Sequence, residues 1–398
     1  MKKSLFALAA LTAVAGAAQA QSSVTVYGIL DAGWVGGNSK SSVPGATVPQ
    51  QAGTWSKLSI TGAEATSRLG FKGVEDLGGG NSAFFTAEMS LTGDSTAPFG
   101  SVRQIFVGLK KNGIGAGSIG TINTIIHNAV AATDPGAQNN IAGNVVYATS
   151  TGATATPDLS NYGQSSAYTV RTANTIALAS DTFAGFSLNA NYTLNNQNVN
   201  QTANYNTTNG SAAGGSTNYT GWGLGANYTW NKLYATANYQ ALKSLNPYGS
   251  STTASNPYTP ADAMWSGATG GTNTQDNQAY IAATYDFGIL KAYAQWVNRK
   301  VTATQSSNYY LKRSAQQIGV RSFITPVVEA WASVGNGRYS AFGNSNPTAN
   351  FTGYQLGSNY YLSKRTNLYA IYGSTETSTT TLGSASQNNY AIGVRHTF

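Results

Sequence analysis

The chain has 398 residues and a formal net charge of +8, but only 9% of its residues are charged, whereas soluble domains carry about 25%. Glycine (45 residues) and tyrosine (24 residues) are abundant, cysteine is absent, and the mean hydropathy is −0.21. This composition excludes a bundle of transmembrane helices, a disulfide scaffold and cysteine-ligated metal sites, and the basic excess contains no run that indicates nucleic-acid binding.

The first predicted element is a secretory signal peptide over residues 1–20. Two lysines open it, an apolar run follows from residue 5 to 17, and Ala-Gln-Ala at 18–20 has the small-x-small pattern of a cleavage site. The apolar run is shorter than the roughly 20 residues that a helical membrane span requires. We therefore expect an exported protein whose mature chain is one domain over 21–398. Its 20 basic and 14 acidic residues give a net charge of +6.

The mature chain repeats one unit, roughly ten residues of alternating polarity followed by a break. In the first unit Val24, Val26 and Trp34 fall on one face, and Thr25 and Asp31 fall on the other. This period of two predicts a β-strand with one apolar face. The sixteen predicted strands are 23–35, 67–74, 82–91, 101–110, 117–123, 167–179, 184–193, 219–230, 233–243, 278–286, 289–301, 313–324, 327–338, 350–362, 366–374 and 389–398.

The breaks between these strands alternate between two kinds. Seven are short turns, and the other eight are mostly long and polar, including 124–166, 194–218 and 244–277. The polar face of the strands is made of neutral Asn, Gln, Thr, Ser and Gly, whereas a soluble β-sandwich or lectin array would place charges there. We therefore predict an all-β fold, a transmembrane antiparallel 16-stranded β-barrel around an aqueous channel, with short periplasmic turns and long extracellular loops.

Short stretches at both ends carry a family resemblance. Near the start, Ser22–Asp31 reads SSVTVYGILD, Ser67–Gly80 reads SRLGFKGVEDLGGG, and Arg103–Leu109 reads RQIFVGL. Near the end, Leu362–Ala370 reads LSKRTNLYA and Gly393–Phe398 reads GVRHTF. Together these stretches resemble the Gram-negative general diffusion porins of the β-proteobacterial type, and the resemblance covers essentially the whole chain.

The resemblance implies a function, a location and a set of partners. It implies a water-filled channel for the passive diffusion of small hydrophilic solutes and ions, built as homotrimers in the cell outer membrane among lipid and lipopolysaccharide. It also implies that loop 124–166 folds into the lumen as a constriction. The aromatic end at Phe398 is the kind of signal that the family presents to the barrel-assembly machinery.

Basic side chains on the polar faces of the strands are the first candidate site residues. A porin filters by size and charge, so rings of charge at a constriction set its ion preference. The resemblance implies that Arg68, Arg103 and Arg171 line one wall of the eyelet. Lys72 shares the inward face of Arg68 because it lies four residues further along the same strand.

Acidic residues of the third loop are the second set of candidates. Asp134 and Asp158 would produce a transverse field if they faced the arginine wall, and none if they faced the outer solvent. Arg321 and Arg395 are further lumen candidates by strand parity. The arginine excess predicts a preference for anions, which is weak because the family often carries an arginine where this chain has Thr121.

Two other patterns give no support to a different chemistry. Gly115–Gly120 matches the dinucleotide-binding GxGxxG, but a strand pattern follows it where that motif requires a helix. His127 and His396 show neither metal-ligand spacing nor a neighbouring nucleophile motif. We therefore expect no enzymatic activity, no cofactor and no metal.

Two alternatives remain open from the sequence. Loops 194–218 and 244–277 are large enough for binding outside the cell, so the barrel could serve as an adhesin or as an outer-membrane hydrolase. Tyr280 and Tyr293, on predicted lumen faces, could form an aromatic slide of a substrate-specific porin. An open conductance without added ligand separates a diffusion channel from an adhesin or hydrolase.

Overall fold

The computed structural model is an antiparallel barrel with a short helix inside it. It describes residues 23–42, 50–93, 98–147, 169–199, 205–206, 211–212, 215–245, 274–303, 310–342, 348–379 and 383–398. The strands are β1 Ser23–Ser42, β2 Gln50–Ser59, β3 Arg68–Gly78, β4 Asn81–Leu91, β5 Phe99–Lys111, β6 Gly115–Asn123, β7 Arg171–Ser180, β8 Phe186–Val199, β9 Tyr205–Asn206, β10 Ser211–Ala212, β11 Gly215–Trp230, β12 Leu233–Leu245, β13 Thr274–Asp286, β14 Lys291–Ala303, β15 Tyr310–Thr325, β16 Val328–Phe342, β17 Thr348–Tyr361, β18 Thr366–Thr379 and β19 Gly383–Thr397. Helix α1 covers Ile125–Thr133. Among the described residues, no helix has the length and apolar character needed to span a membrane.

The strands close on themselves in chain order. Neighbours pair from β3 to β8, β8 pairs with β11, the pairing continues to β19, and β19 pairs with β1. The closing pair runs in register from Ile29 opposite Thr397 to Ser42 opposite Ser384. The sheet contains seventeen strands, and because β2 and β3 share one position the barrel has sixteen, as predicted. The two-residue strands β9 and β10 pair with each other outside the barrel wall.

The second position of the barrel is divided in two. The sequence predicts one strand there, 67–74, but β1 pairs with β2 through Gly33–Ser42 and with β3 through Ser23–Ile29. Residues 60–67, between β2 and β3, leave the wall and fold towards the barrel axis. Strand β2 escapes sequence analysis because its residues, QQAGTWSKLS, do not alternate between apolar and polar.

The alternating polarity of the strands is confirmed by their exposure. Leu224 is 58% exposed, Ile281 55% and Ile392 58%, which places an apolar belt on the outer face. Next to the short turns, Trp230 and Phe287 are also exposed, as expected for an aromatic girdle at the membrane boundary. All seven short turns follow the strands that were predicted to precede them.

The first part of the third long loop fills one side of the lumen. Thr124 caps α1 because its Oγ1 accepts a hydrogen bond from the His127 amide at 3.4 Å. The helix then packs Ile126 and Val130, both fully buried, against inward side chains of the wall such as Tyr280. Full burial of such a side chain stabilises the fold by about 1.5–3 kcal/mol. Helix and wall thus enclose a dry core on this side, beside the channel.

Candidate pore constriction

A row of glutamine side chains on the inner wall attaches the third loop to the barrel. We call this row the amide seam, and it consists of Gln240 on β12, Gln278 on β13, Gln295 on β14, Gln317 on β15 and Gln355 on β17. Within it, Gln240 donates to Gln278 at 2.6 Å and Gln317 donates to Gln295 at 3.0 Å. The chain of amides therefore follows the wall across neighbouring strands.

Members of the amide seam bind the backbone of the loop. The Gln317 Oε1 accepts from the Val145 amide at 3.0 Å, and the Gln355 Nε2 donates to the Ala142 carbonyl at 3.0 Å. At the helix end, the Gln240 Oε1 accepts from the Ile126 amide at 3.4 Å. The three glutamines are almost fully buried, so these bonds satisfy backbone groups that would otherwise lie unpaired in the dry core.

Asp134 lies between the loop and the wall to which the loop is attached, and it does not face the channel. Its Oδ2 accepts from the Gln138 amide at 2.6 Å, and its Oδ1 accepts from the Asn144 Nδ2 at 2.7 Å and, more weakly, from the Gln317 Nε2 at 3.4 Å. The side chain is 4% exposed, and this burial raises the pKa of the Asp134 carboxyl. The expectation that Asp134 faces the arginine wall from the channel is corrected accordingly, because the carboxylate fixes the turn after α1. Asp158 lies outside the described residues.

On the other side of the lumen, β3, β5 and β7 each carry one of the three predicted arginines. Arg68 is the first residue of β3, Arg103 lies in β5, and Arg171 is the first residue of β7. In the closed ring of sixteen positions, β5 stands eight positions from β15, the strand of the amide seam that carries Gln317. The arginine wall, Arg68 with Arg103 and Arg171, therefore faces the loop-bearing wall across the lumen.

A carboxylate that the sequence analysis missed, Glu88 on β4, lies among the arginines. Its Oε1 accepts from the Arg103 Nε at 2.6 Å and lies 3.8 Å from the Arg68 Nη1, and its Oε2 accepts from the Tyr27 hydroxyl at 3.1 Å. Strand parity could have found it, because Thr86, Glu88 and Ser90 form the polar face of β4.

The arginine wall keeps a positive excess in spite of Glu88. The Lys72 Nζ lies 5.3 Å from the centre of the Tyr27 ring, and its side chain is exposed. The Nε of Arg171 is buried and has no hydrogen-bond partner among the described residues. Lys72 and Glu88 are counted with the arginine wall from here on, so four basic side chains and one carboxylate give it a formal charge of +3 within the described part of the chain.

Arg321 and Arg395 also project inward, but each is neutralised by a glutamate. The Arg321 Nε donates to the Glu329 Oε1 at 2.6 Å, and its Nη1 donates to the Pro135 carbonyl of the loop at 2.9 Å. The Arg395 Nη1 lies 3.1 Å from the Glu64 Oε1. These two arginines hold inward segments in place and add no net charge to the wall around them.

The side chains of His127, Tyr280 and Tyr293 are buried and present no exposed group to the channel. Burial, with Arg171 nearby, lowers the pKa of His127 to about 3, so its imidazole is neutral in ordinary buffers. Tyr280 is fully buried beneath α1, where its hydroxyl lies 2.5 Å from the Thr133 Oγ1, and Tyr293 is 8% exposed. The aromatic slide considered from the sequence is therefore corrected, since both rings lie in the packing between loop and wall.

The arrangement is an asymmetric filter. One wall carries a formal charge of +3, whereas the facing wall holds the loop through neutral amides, the Arg321–Glu329 ion pair and Arg313, which donates to the Val145 carbonyl. Fixed charges within low-dielectric walls act strongly on passing ions because the walls focus the field into the channel. Such an arrangement favours anions along the arginine wall.

Comparison with known proteins shows which family this chain resembles. A family model described as Gram-negative porin matches residues 7–380. Outer membrane porin protein 32 of Delftia acidovorans is 43% identical over 115 residues, 28% of this chain and 29% of that protein. An outer membrane porin protein of Bordetella pertussis is 30% identical over 202 residues, 49% of each chain. The matched stretches thus span less than half of these curated relatives.

A solved structure shares the fold over nearly the full length. The protein described as "Anion-selective porin from Comamonas acidovorans" superposes with a TM-score of 0.65, covering 95% of this chain and 100% of that one. Because the two sequences are only 21% identical, the likeness establishes the barrel architecture and nothing about the solutes.

Proposed function

Because this chain belongs to the Gram-negative porin family, we propose that it forms a water-filled outer-membrane channel for the passive diffusion of small hydrophilic solutes and ions, with a weak preference for anions. The observation that carries the preference is the arginine wall. Arg68, Arg103 and Arg171 lie on one wall together with the carboxylate of Glu88. Near the loop, Arg321 is paired with Glu329 and Arg395 with Glu64.

The preference is weak for two reasons. Glu88 removes one charge from the wall and lies directly against Arg103, so the field of that guanidinium is partly cancelled at short range. Exposed charges in an aqueous lumen are also screened by salt, with a Debye length of about 8 Å at physiological ionic strength. Asp158 belongs to the proposal as a further acid that reduces the net positive charge of the constriction, and with it the anion preference, if it faces the lumen.

We infer the assembly from family membership. The barrel works as a homotrimer surrounded by outer-membrane lipid and lipopolysaccharide, after removal of residues 1–20, and it has no enzymatic activity. Phe398 is the signal to the barrel-assembly machinery. Its position supports this role, because its amide donates to the Gly28 carbonyl at 3.2 Å and its carbonyl accepts from the Gly28 amide at 3.1 Å, next to the strands that close the barrel.

The test is conductance across a planar lipid bilayer with a salt gradient. The purified, detergent-folded protein should conduct without added ligand, close in three equal steps, and show a reversal potential of the sign expected for anions. R68A, R103A and R171A should each shift the reversal potential towards zero or towards cations. R338A is the matched control, because exposed Arg338 shares the outward face of β16 with Val334.

Three other outcomes would decide against parts of the proposal. A cation-selective wild type would mean that acids such as Asp158 dominate the field. Equal effects of R338A and R103A would remove the arginine wall as the source of selectivity. A well-folded protein without conductance would favour an adhesin or hydrolase, whose binding surface would be sought in loops 194–218 and 244–277.

A further inference from the structure

A second inward element, residues 60–67, lies beside the third loop. This inner segment connects β2 to β3 and turns back on itself, since the Ser67 hydroxyl donates to the Ile60 carbonyl at 2.7 Å and the Ser67 amide donates to the Thr61 carbonyl at 3.0 Å. Ala63, Glu64 and Ser67 are at most 5% exposed. An eight-residue excursion that is this well packed is a built part of the lumen.

One residue of the third loop, Asn140, makes three hydrogen bonds to the inner segment. Its backbone amide donates to the Ala63 carbonyl at 2.8 Å. Its side-chain Nδ2 donates to the Gly62 carbonyl at 2.9 Å and to the Thr66 Oγ1 at 3.2 Å. Two of these bonds need the side chain, and both need it as a donor. No other standard side chain of this size donates two hydrogen bonds from one nitrogen.

Side chains of the barrel wall also hold the inner segment in place. The Asp31 carboxylate accepts from the Ala65 amide at 2.7 Å and from the Tyr369 hydroxyl at 2.6 Å. The Glu64 carboxylate accepts from the Asn367 Nδ2 at 2.9 Å and lies 3.1 Å from the Arg395 guanidinium. Because both carboxylates are buried and satisfied, the segment has a fixed position against which the loop can be set.

The inner segment also contacts the arginine wall. The Arg68 Nε donates to the Thr66 carbonyl at 2.9 Å. Thr66 therefore contacts Asn140 of the loop through its side chain and Arg68 through its backbone. Because Thr66 binds both, it fixes the distance between the loop and Arg68.

We infer that the constriction has two parts, the third loop and the inner segment, and that Asn140 is the positioning residue that clamps one to the other and fixes the aperture. This inference rests on the proposed channel function. Loss of the Asn140 side chain leaves the amide seam intact, so the loop keeps its attachment to the far wall, and on the side that faces the arginines it loses two of the three hydrogen bonds from Asn140. The eyelet should then fluctuate and widen on that side.

The first test compares N140A with N128A. Both substitutions remove an asparagine side chain from the same loop, but the Asn128 Oδ1 only accepts from Asn123, at 3.0 Å in an exposed position. N140A should increase open-channel current noise, raise the single-channel conductance and admit larger sugars in vesicle-swelling assays, whereas N128A should match wild type. N140D should be at least as noisy as N140A, because a carboxylate cannot donate to the Gly62 carbonyl.

The second test uses the absence of cysteine from the chain. The variant A63C/N140C places a cysteine pair at the clamp. Oxidation should produce a disulfide detectable by a change in gel mobility, and it should restore wild-type noise and conductance, while reduction should reproduce N140A. The single variants A63C and N140C are the controls for the effect of oxidation on each thiol.

The outcomes separate the clamp from the channel itself. If N140A, N140D and the reduced pair all conduct like wild type, the clamp is refuted while the channel stands. If oxidised A63C/N140C shows no disulfide in folded protein, the two elements do not meet and the inference fails, whatever the conductance. Absence of conductance in wild type would refute the proposed function instead, and disulfide formation would still report whether the loop meets the inner segment.

Discussion

The ring of Phe398 lies on the backbone of Gly28, at the place where the first and last strands of the barrel meet. A Cβ atom at position 28 would overlap this ring and would also collide with the Arg68 carbonyl oxygen. Two backbone hydrogen bonds join the same two residues. Because Gly28 has no side chain, the ring of Phe398 can pack against the first strand while the two residues form their backbone hydrogen bonds.

The substitution G28A should weaken barrel closure. Overpacking typically costs about 1–3 kcal/mol, and here the clash involves a backbone oxygen that has little freedom to move. We expect a lower denaturant midpoint for unfolding from lipid vesicles and slower acquisition of the heat-resistant folded form on gels. The matched control is G117A, because a Cβ there would approach only the flexible Leu178 Cδ2, at 3.2 Å. Equal behaviour of the two variants would contradict this account of how the first and last strands close the barrel.

The substitution E88Q should strengthen anion selectivity. It raises the formal charge of the arginine wall from +3 to +4 and releases Arg103 from its short ion pair. In the salt-gradient bilayer experiment, the reversal potential should move further in the anion direction. E376Q removes the same charge from exposed Glu376 on β18 and should leave the potential unchanged. A shift towards cations would show that Glu88 serves mainly to hold the arginines in place.

The two faces of β11 should respond differently to arginine. L224R places a charge on the lipid side, where Leu224 is 58% exposed, and should cost about 2–4 kcal/mol if the residue lies near the bilayer midplane. N227R points into the lumen, because the Asn227 Oδ1 accepts from the inward Thr236 hydroxyl at 2.7 Å. N227R should fold with nearly normal stability and change conductance. Folding titrations that give the same cost for both would overturn the assignment of faces.

The pH dependence of stability should carry a contribution from Asp134. Because burial raises the pKa of this carboxyl, the folded state binds its proton more tightly than the unfolded state does. The stabilisation by protonation is present below the unfolded pKa and is lost as pH rises through the folded pKa. The melting temperature of wild type relative to D134N should therefore increase as pH falls from 7 to 4. A difference that is flat or decreases with falling pH would contradict the raised pKa.

The wall of the barrel could be predicted from sequence because it depends on local alternation. Residues such as Leu224 and Ile281 reveal their side of the sheet through their immediate neighbours, and a turn such as 231–232 is recognisable from its length. These signals predict the sixteen positions and the lipid-facing belt. They fail at β2, where the alternation is absent and pairing with β1 supplies the structure.

The interior could not be predicted in the same way, because it depends on contacts between distant parts of the chain. Asn140 meets Gly62 across 78 positions, and Asp134 meets Gln317 across 183. No local pattern distinguishes Asn140 from the many other asparagines of the chain. Nor does the sequence show that the carboxylate of Asp134 accepts hydrogen bonds from its own loop and does not face the channel.

The amide seam has a consequence for cells that experience changing salinity. Neutral amides hold the loop by short-range bonds that salt does not screen, whereas the field of the arginine wall decays over about 10 Å at 0.1 M ionic strength and about 3 Å at 1 M. Rising salinity should therefore abolish the discrimination between ions while the size limit for uncharged solutes stays constant. A bacterium passing from fresh to brackish water would keep the same molecular sieve and lose only its charge bias.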